Sequence, residues 1–218
     1  MYTINELYSM EHTMAAEYLR RFNYPWEALA GIKDEIVRIG QSLDKAQYNE
    51  VSPQVWVHVT ATVAPTAYLG SPCIIGAKTE VRHGAFVRGS ALVGEGCVVG
   101  NSVELKNVIL FDGVQVPHYN YVGDSILGYK AHMGAGSITS NVKSDKSLVV
   151  IHSEPPIPTG IKKVGAMLGD FVEVGCNSVL NPGTVIGRNS SVYPTSCVRG
   201  VVPAGSIYKK NDTIVTKI

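Results

Sequence analysis

The chain has 218 residues, is 45% hydrophobic and carries a formal net charge of +1. That length fits one domain with an appendage or two small domains. A charge so near zero excludes the electrostatic field that nucleic acid or an anionic membrane surface would require. No apolar segment approaches the roughly 18 residues that span a bilayer, and the start lacks the charged-then-apolar form of a signal peptide. The cysteines Cys73, Cys97, Cys176 and Cys197 show no CxxC spacing, and Cys73 and Cys97 stand at positions where small residues recur, so they read as packing thiols. A cytoplasmic protein is expected.

Residues 1–50 read as an N-terminal helical segment. Thr3-Ile4-Asn5-Glu6 has the form of a capping box, and Pro25 suits the first turn of a longer helix. Trp26, Leu29, Ile32, Ile36, Ile39 and Leu43 then recur at three- and four-residue steps and make one apolar stripe. The expected role of this segment is a cap over the open end of the downstream fold, with a trimer-stabilising arm or partner-binding helix as alternatives.

From Val57 onward the period changes. An aliphatic or aromatic residue returns every sixth position at Val57, Val63, Leu69, Ile75, Val81, Val87, Val93, Val99, Leu105 and Phe111, and again at Leu168, Val174, Leu180, Ile186, Val192 and Val198. A mostly small residue stands two positions before each next one: Ala61, Ala67, Cys73, Thr79, Ala85, Ala91, Cys97. A period of six fits neither a helix nor an ordinary strand and marks a hexapeptide β-helix. The fold class is therefore mainly β: a single-stranded parallel β-helix over residues 51–218, three hexads to a coil, with an N-terminal α-helical segment. Glycines such as Gly70, Gly76, Gly94 and Gly100 suit corners that need positive φ.

The regularity fails after Phe111. Pro117 stands where an aliphatic is due, His118 follows it, and the phase slips by about one residue through Val122 before resuming at Leu127 and Met133. From Asn141 to Lys163 the pattern is lost, and Pro155, Pro156 and Pro158 mark a loop that protrudes from the wall. Such excursions usually carry function or assembly contacts. The tail from Ala204, with Tyr208, Lys209 and Lys210, reads as a closing strand or extension.

Around the first break lies a polar group: Arg88, Asn101, Glu104, Lys106, His118, Tyr121, Asp124 and His132. Eighteen residues return the chain to the same face one coil on, so Arg88 should stand above Lys106 at about 4.8 Å. Two stacked cations are unfavourable unless something negative lies between them, which a phosphate would supply; two solvated cations are the alternative. A histidine at the break could take a proton from an attacking amine or hydroxyl.

These residues carry a resemblance. VGNSVELK at 99–106, PHYNYVGD at 117–124 and MGAGSITSN at 133–141 resemble the acetyltransferase domain of bifunctional N-acetylglucosamine-1-phosphate uridylyltransferase/glucosamine-1-phosphate acetyltransferase. KKVGAMLGDFVEVGCNSVLNPGTVIG at 162–187 is similar to archaeal sugar-1-phosphate nucleotidylyltransferase/acetyltransferase proteins. The resemblance covers about residues 57–202 and implies a left-handed prism. It implies an acetyl-coenzyme A-dependent N-acetyltransferase acting on an amino-sugar 1-phosphate, without a metal, as a homotrimer whose sites lie between neighbouring prisms. His118 would be the general base. Arg88, Lys106, Tyr121, His132 and Lys146 would bind the sugar phosphate. Asn141 and backbone around Ala135 would meet the acetyl donor or the thioester carbonyl, and Cys176 and Pro194 would line the coenzyme A groove.

The chain departs from the family at several places. His132 replaces an asparagine, Cys176 a serine, and Val142 a tyrosine, and the C-terminal coenzyme-binding arginine has no match. Residues 1–56 contain no Gly-rich nucleotide loop, so no pyrophosphorylase activity is expected from this chain. Two other classes compete. One is a non-catalytic sugar-phosphate-binding scaffold. The other is a zinc enzyme of the γ-carbonic-anhydrase type, which would need His83, His118 and His132 to converge across a subunit interface.

Overall fold

The computed structural model describes residues 1–209 and 213–217. Short strands, most of two or three residues, alternate with tight turns from Val55 to Tyr208 and build a β-solenoid with three walls. The first wall stacks Val55–His58, Cys73–Ile75, Ala91–Val93, the ends of Glu104–Leu110 and Tyr121–Leu127, then Ala166–Leu168, Thr184–Ile186 and Val201–Val202. The second runs from Thr62–Val63 through Val98–Asn101, Gln115–His118 and His132–Met133 to Ser206–Tyr208. The third runs from Tyr68–Leu69 through Phe86–Val87, the starts of Glu104–Leu110 and Tyr121–Leu127, and Ile138–Thr139 to Cys197–Val198. Among the described residues every pairing between coils is parallel.

Each hexad supplies one residue to the inside and, just before it, one to the outside, because side chains alternate along a strand. Val81, Val87, Val93, Val99 and Leu105 are fully buried, as the period predicts. So are Cys73 and Cys97, whose thiols burial pushes up to about 12. The named glycines serve close approach rather than positive φ. A Cβ on Gly100 would lie 1.5 Å from the Pro117 carbonyl oxygen, and one on Gly76 would lie 2.4 Å from that of Gly94. Positive φ falls two residues after Gly76, Gly94 and Gly100, at Lys78, Gly96 and Ser102, and at the equivalent Gly84 and Ser90.

The positive-φ series locates the phase slip. It steps by six up to Ser102, by five to Asn107, by six to Gly113 and Tyr119, and by five to Asp124. Two successive coils are thus one residue short, and both lose it at the corner between the third and first walls. The register agrees: Val87 faces Leu105, but Leu105 faces Val122 and Val93 faces Leu110. The expectation of a slip at Pro117-His118 is corrected. Pro117 merely follows the inward Val116, and Leu110 rather than Phe111 continues the inner column. Phe111 is buried from outside, its ring 5.0 Å from that of Tyr8. Shortening makes Glu104–Leu110 and Tyr121–Leu127 continuous seven-residue strands that turn the corner. One coil later the chain leaves at the same corner, at Asn141, and returns at Val164, whose N–H donates to the Asn141 carbonyl. The excursion is a hairpin, Val150–Ile151 against Ile157–Pro158, whose Val149 and Ile151 are buried.

The N-terminal segment does not cap the solenoid end. It lies along the first wall. Helices α1 (Ile4–Leu7), α2 (Ala16–Leu19) and α3 (Ile32–Ser42) are joined by 3-10 turns at Met10–His12 and Pro25–Gly31, so Pro25 opens a 3-10 turn rather than the long helix. The Thr3–Glu6 capping box forms as expected. From Trp56 through Ile74, Leu92, Ile109, Ile126, Met167 and Val185 the outward residues of this wall are apolar and buried, and the last, Val201, is half-buried. On the second wall the same positions are mostly polar: Thr62, Glu80, Gln115, His132, Glu173 and Ser191, with Val98 and Ile207 among them. A wall with two apolar faces must be covered, and the stripe from Trp26 to Ile39 covers it. Polar anchors fix the segment: Asp112 N–H donates to the His12 carbonyl and Ala204 N–H to the Tyr2 hydroxyl. At the other terminus Ser206–Tyr208 pairs antiparallel with Ile214–Thr216; Lys210 lies outside the described residues.

Candidate functional site

The candidate residues sort onto two edges of the third wall. The strand register stacks His118, Ala135, Cys176 and Pro194 in one column along the corner between the second and third walls. Three coil steps of about 4.8 Å give this column a length of about 14 Å. Asn120 builds the corner under His118: its Oδ1 accepts the His118 N–H at 3.1 Å, and its Nδ2 donates to the carbonyls of Gly134 at 2.8 Å and Ser137 at 3.1 Å. The fully turned Tyr119, at φ 53°, then leaves His118 exposed. Among the described residues nothing hydrogen-bonds its imidazole. The N–H groups of Gly134 and Gly136, either side of Ala135, are taken by the Val174 and His118 carbonyls.

Arg88 and Lys106 stand on the opposite edge, in register as the spacing predicts. Each already has a carboxylate. Arg88 Nη1 lies 2.8 Å from Glu104 Oε1, an exposed pair of small net worth. Lys106 Nζ donates to both oxygens of Asp124, at 2.8 and 3.0 Å. Each cation of the stack is thus paired with a carboxylate of the chain itself. Asp124 is only 3% exposed. It also accepts from Asn107 Nδ2, at 2.9 Å, and from Asn141 Nδ2. Asn107 donates to the Leu29 carbonyl as well, which joins the covering segment to this edge. Asn141 Nδ2 further donates to the Tyr121 hydroxyl at 3.1 Å. Burial first, and then the Asp124 charge, raises the Tyr121 phenol above its usual range.

Two candidates lie elsewhere. His132 projects from the second wall, where its Nδ1 meets Glu173 Oε2 at 2.7 Å. Lys146 is exposed in the Lys143–Ser147 turn of the excursion. His83 hydrogen-bonds Thr66 through Nδ1, at 2.9 Å. Among the described residues no three metal-ligating side chains cluster. The hexad pattern does not mark Asn107 or Asn120, and it gives Asp124 no role beyond membership of the polar group. One signal for them is present in the sequence: Asn107 and Asp124 are 17 apart, one short of a coil, and both are residue types that tolerate positive φ.

Residues 72–154 match the family described as the GMPPB C-terminal domain. A bifunctional protein GlmU of Methanococcus maripaludis is 30% identical over 203 residues, covering 92% of this chain and 49% of that protein. A bifunctional sugar-1-phosphate nucleotidylyltransferase/acetyltransferase of Sulfurisphaera tokodaii is 29% identical over 190 residues, 85% of this chain and 47% of that protein. Among solved structures, a point mutant of AntD, an N-acyltransferase from Bacillus cereus, aligns at 15% identity and a TM-score of 0.40, covering 74% of this chain and 79% of that one. The chain spans about half the length of the curated relatives it matches. Over most of its own length it is thus similar to part of the bifunctional nucleotidylyltransferase/acetyltransferase proteins, and it resembles their hexapeptide acyltransferase domain.

Proposed function

We propose that the chain is an acetyl-coenzyme A-dependent N-acetyltransferase whose acceptor is an amino-sugar 1-phosphate or a nucleotide-linked amino sugar. The observation that carries this reading is the third wall itself. In one edge column Asn101 precedes His118 and the small or apolar Ala135, Cys176 and Pro194 follow it, while Tyr121, Asn141, Lys106 and Arg88 form a polar set on the opposite edge. The column suits an extended thioester arm; the polar set suits a sugar with an anionic group. The acceptor nitrogen attacks the thioester carbonyl, the C–S bond breaks, and coenzyme A leaves as its thiolate, which the His118 imidazolium or solvent then protonates. The proton of the attacking amine passes to the His118 imidazole, which is exposed and unengaged. The exposed Arg88–Glu104 pair exchanges easily for a phosphate, whereas the part-buried Lys106–Asp124 pair does not.

The reading includes a homotrimer in which a second copy closes each third wall. Tyr68 and Phe86, both more than two-fifths exposed and 5.5 Å apart, stand on that wall in register and would be covered by it. The test is thiol release from acetyl-coenzyme A with a panel of amino-sugar 1-phosphates and nucleotide-linked amino sugars. The wild type releases thiol above background with at least one, and His118→Ala lowers the rate by about 100-fold or more. Equal background rates for both proteins on every amine would remove the reading. That result would instead favour a non-catalytic sugar-phosphate scaffold, for which the pre-existing carboxylate partners of Arg88 and Lys106 speak.

A further inference from the structure

We propose that Asp124 is a positioning residue that sets the direction of the hydrogen bonds on the polar edge of the third wall. In doing so it makes Asn141 present an acceptor oxygen, and Tyr121 a donor hydroxyl, to the bound acceptor. The consequence for substrate rests on the acyltransferase reading above; the polarity itself rests on the geometry.

Asn107, Asp124 and Asn141 occupy one column at the corner where both short coils lose their residue and where the excursion departs. The column is where the solenoid is least regular, and a single side chain gathers it. The Asp124 side chain, 4% exposed, has ion-paired Lys106 beside it and only donors around it: Lys106 Nζ, Asn107 Nδ2 and Asn141 Nδ2. A carboxylate in an ion pair only accepts. Each asparagine must therefore turn its nitrogen toward Asp124, and its amide flip is decided by that partner.

An asparagine has two amide protons. Those of Asn107 go to Asp124 and to the Leu29 carbonyl. Those of Asn141 go to Asp124 and to the Tyr121 oxygen. Asn141 then has nothing left to offer a ligand but Oδ1, an acceptor. Tyr121 receives a proton on its oxygen, so its own O–H points elsewhere, and burial keeps that phenol protonated. The edge thus offers one acceptor and one donor in fixed positions. The Asn141 oxygen fits an amine, ammonium or hydroxyl of the acceptor, and the Tyr121 hydroxyl fits its anionic oxygen. With both of its protons committed, Asn141 would meet the acetyl donor only through its oxygen.

The experiment uses Asp124→Asn in the full chain. Asparagine keeps the size and tolerates the φ of 48°, but its amide donates as well as accepts, so Asn141 is free to flip. The expected result is an acceptor KM raised about 10-fold or more with the acetyl-coenzyme A KM unchanged. Tyr121→Phe, which removes only the hydroxyl, raises the acceptor KM in the same selective way. Adding Asp124→Asn to Asn141→Ala raises it by less than the sum of the two single effects, because Asp124 acts in part through Asn141 and in part through Lys106. Fully additive effects, or equal losses on both substrates, overturn the proposal. If the wild type acetylates none of the amines, the acyltransferase reading fails by itself. The polarity is then read from the Asn141 side-chain amide resonances, assigned with Asn141→Ala. Slow solvent exchange in the wild type that becomes fast in Asp124→Asn supports it, and equal exchange in the two overturns it.

Discussion

Buried carboxylates do much of the organising in this molecule. Asp170 is 1% exposed and accepts from Ser9 through N at 2.8 Å and Oγ at 2.7 Å, from Tyr129 N at 2.8 Å, and from Arg188. It ties the covering segment to two successive coils. Removing it strands the Arg188 charge and three donors, so Asp170→Ala should lose about 3 kcal/mol, read as a lower urea midpoint. Asp170→Asn, which keeps the shape, should lose less. The buried thiols of Cys73 and Cys97 give a second expectation. Burial raises both from an ordinary value of 9.0 to about 12. The folded state thus holds their protons more tightly, and the stability they contribute is complete below pH 9 and lost as pH rises toward 12. The melting temperature should fall across that window, and Cys73→Ala should remove part of the slope. At this scale the sequence reveals types but not partners. Lys106 and Asp124 can be named as members of a polar cluster; that one closes on the other, rather than on a phosphate, depends on which corner is short.

At the scale of the element, the hexad dictates a strand of two or three residues and a turn, and the close stacking of turns dictates glycine. Gly100→Ala places a methyl inside the Pro117 carbonyl and must push two coils apart. A cost of about 3 kcal/mol follows for such overpacking, seen as a fall in melting temperature of about 6–12 °C for a chain of this size. The covering helices obey a different rule. Their apolar stripe from Trp26 to Ile39 is legible in the sequence, since a 3.6-residue period identifies a buried face wherever the partner lies. The identity of that partner is also written in the repeat, one position before the inner residue, as the apolar series Ile74, Leu92, Ile109 and Ile126. This series recurs about once per coil and lies beneath the stronger six-residue period. The six-residue period alone leaves only the solenoid ends in need of cover, which is why it points to an end cap.

The whole molecule is a solenoid with three walls that differ in what they face. One is sealed by the chain's own N-terminal segment, one is polar, and the third bears the candidate site. Deleting residues 1–43 should expose the apolar stripe of the first wall and yield protein that aggregates and binds a hydrophobic dye such as ANS. If the shortened chain stayed soluble and dye-free, the covering role would be wrong. The hexapeptide period determined the solenoid from sequence alone, because a large apolar residue sustained at every sixth position, with a small residue at a fixed offset, fits neither a helix nor the closer alternation of an ordinary strand. The same period showed irregularity only after Phe111, although the first residue is lost earlier, between Ser102 and Asn107. It could not say at which corner, since a one-residue loss shifts every later position equally and leaves its own location open. Only the tertiary structure decided that. Backbone hydrogen bonds between coils assign each residue a partner, and those pairings put both short corners and the root of the excursion in one column, with Asp124 at its centre.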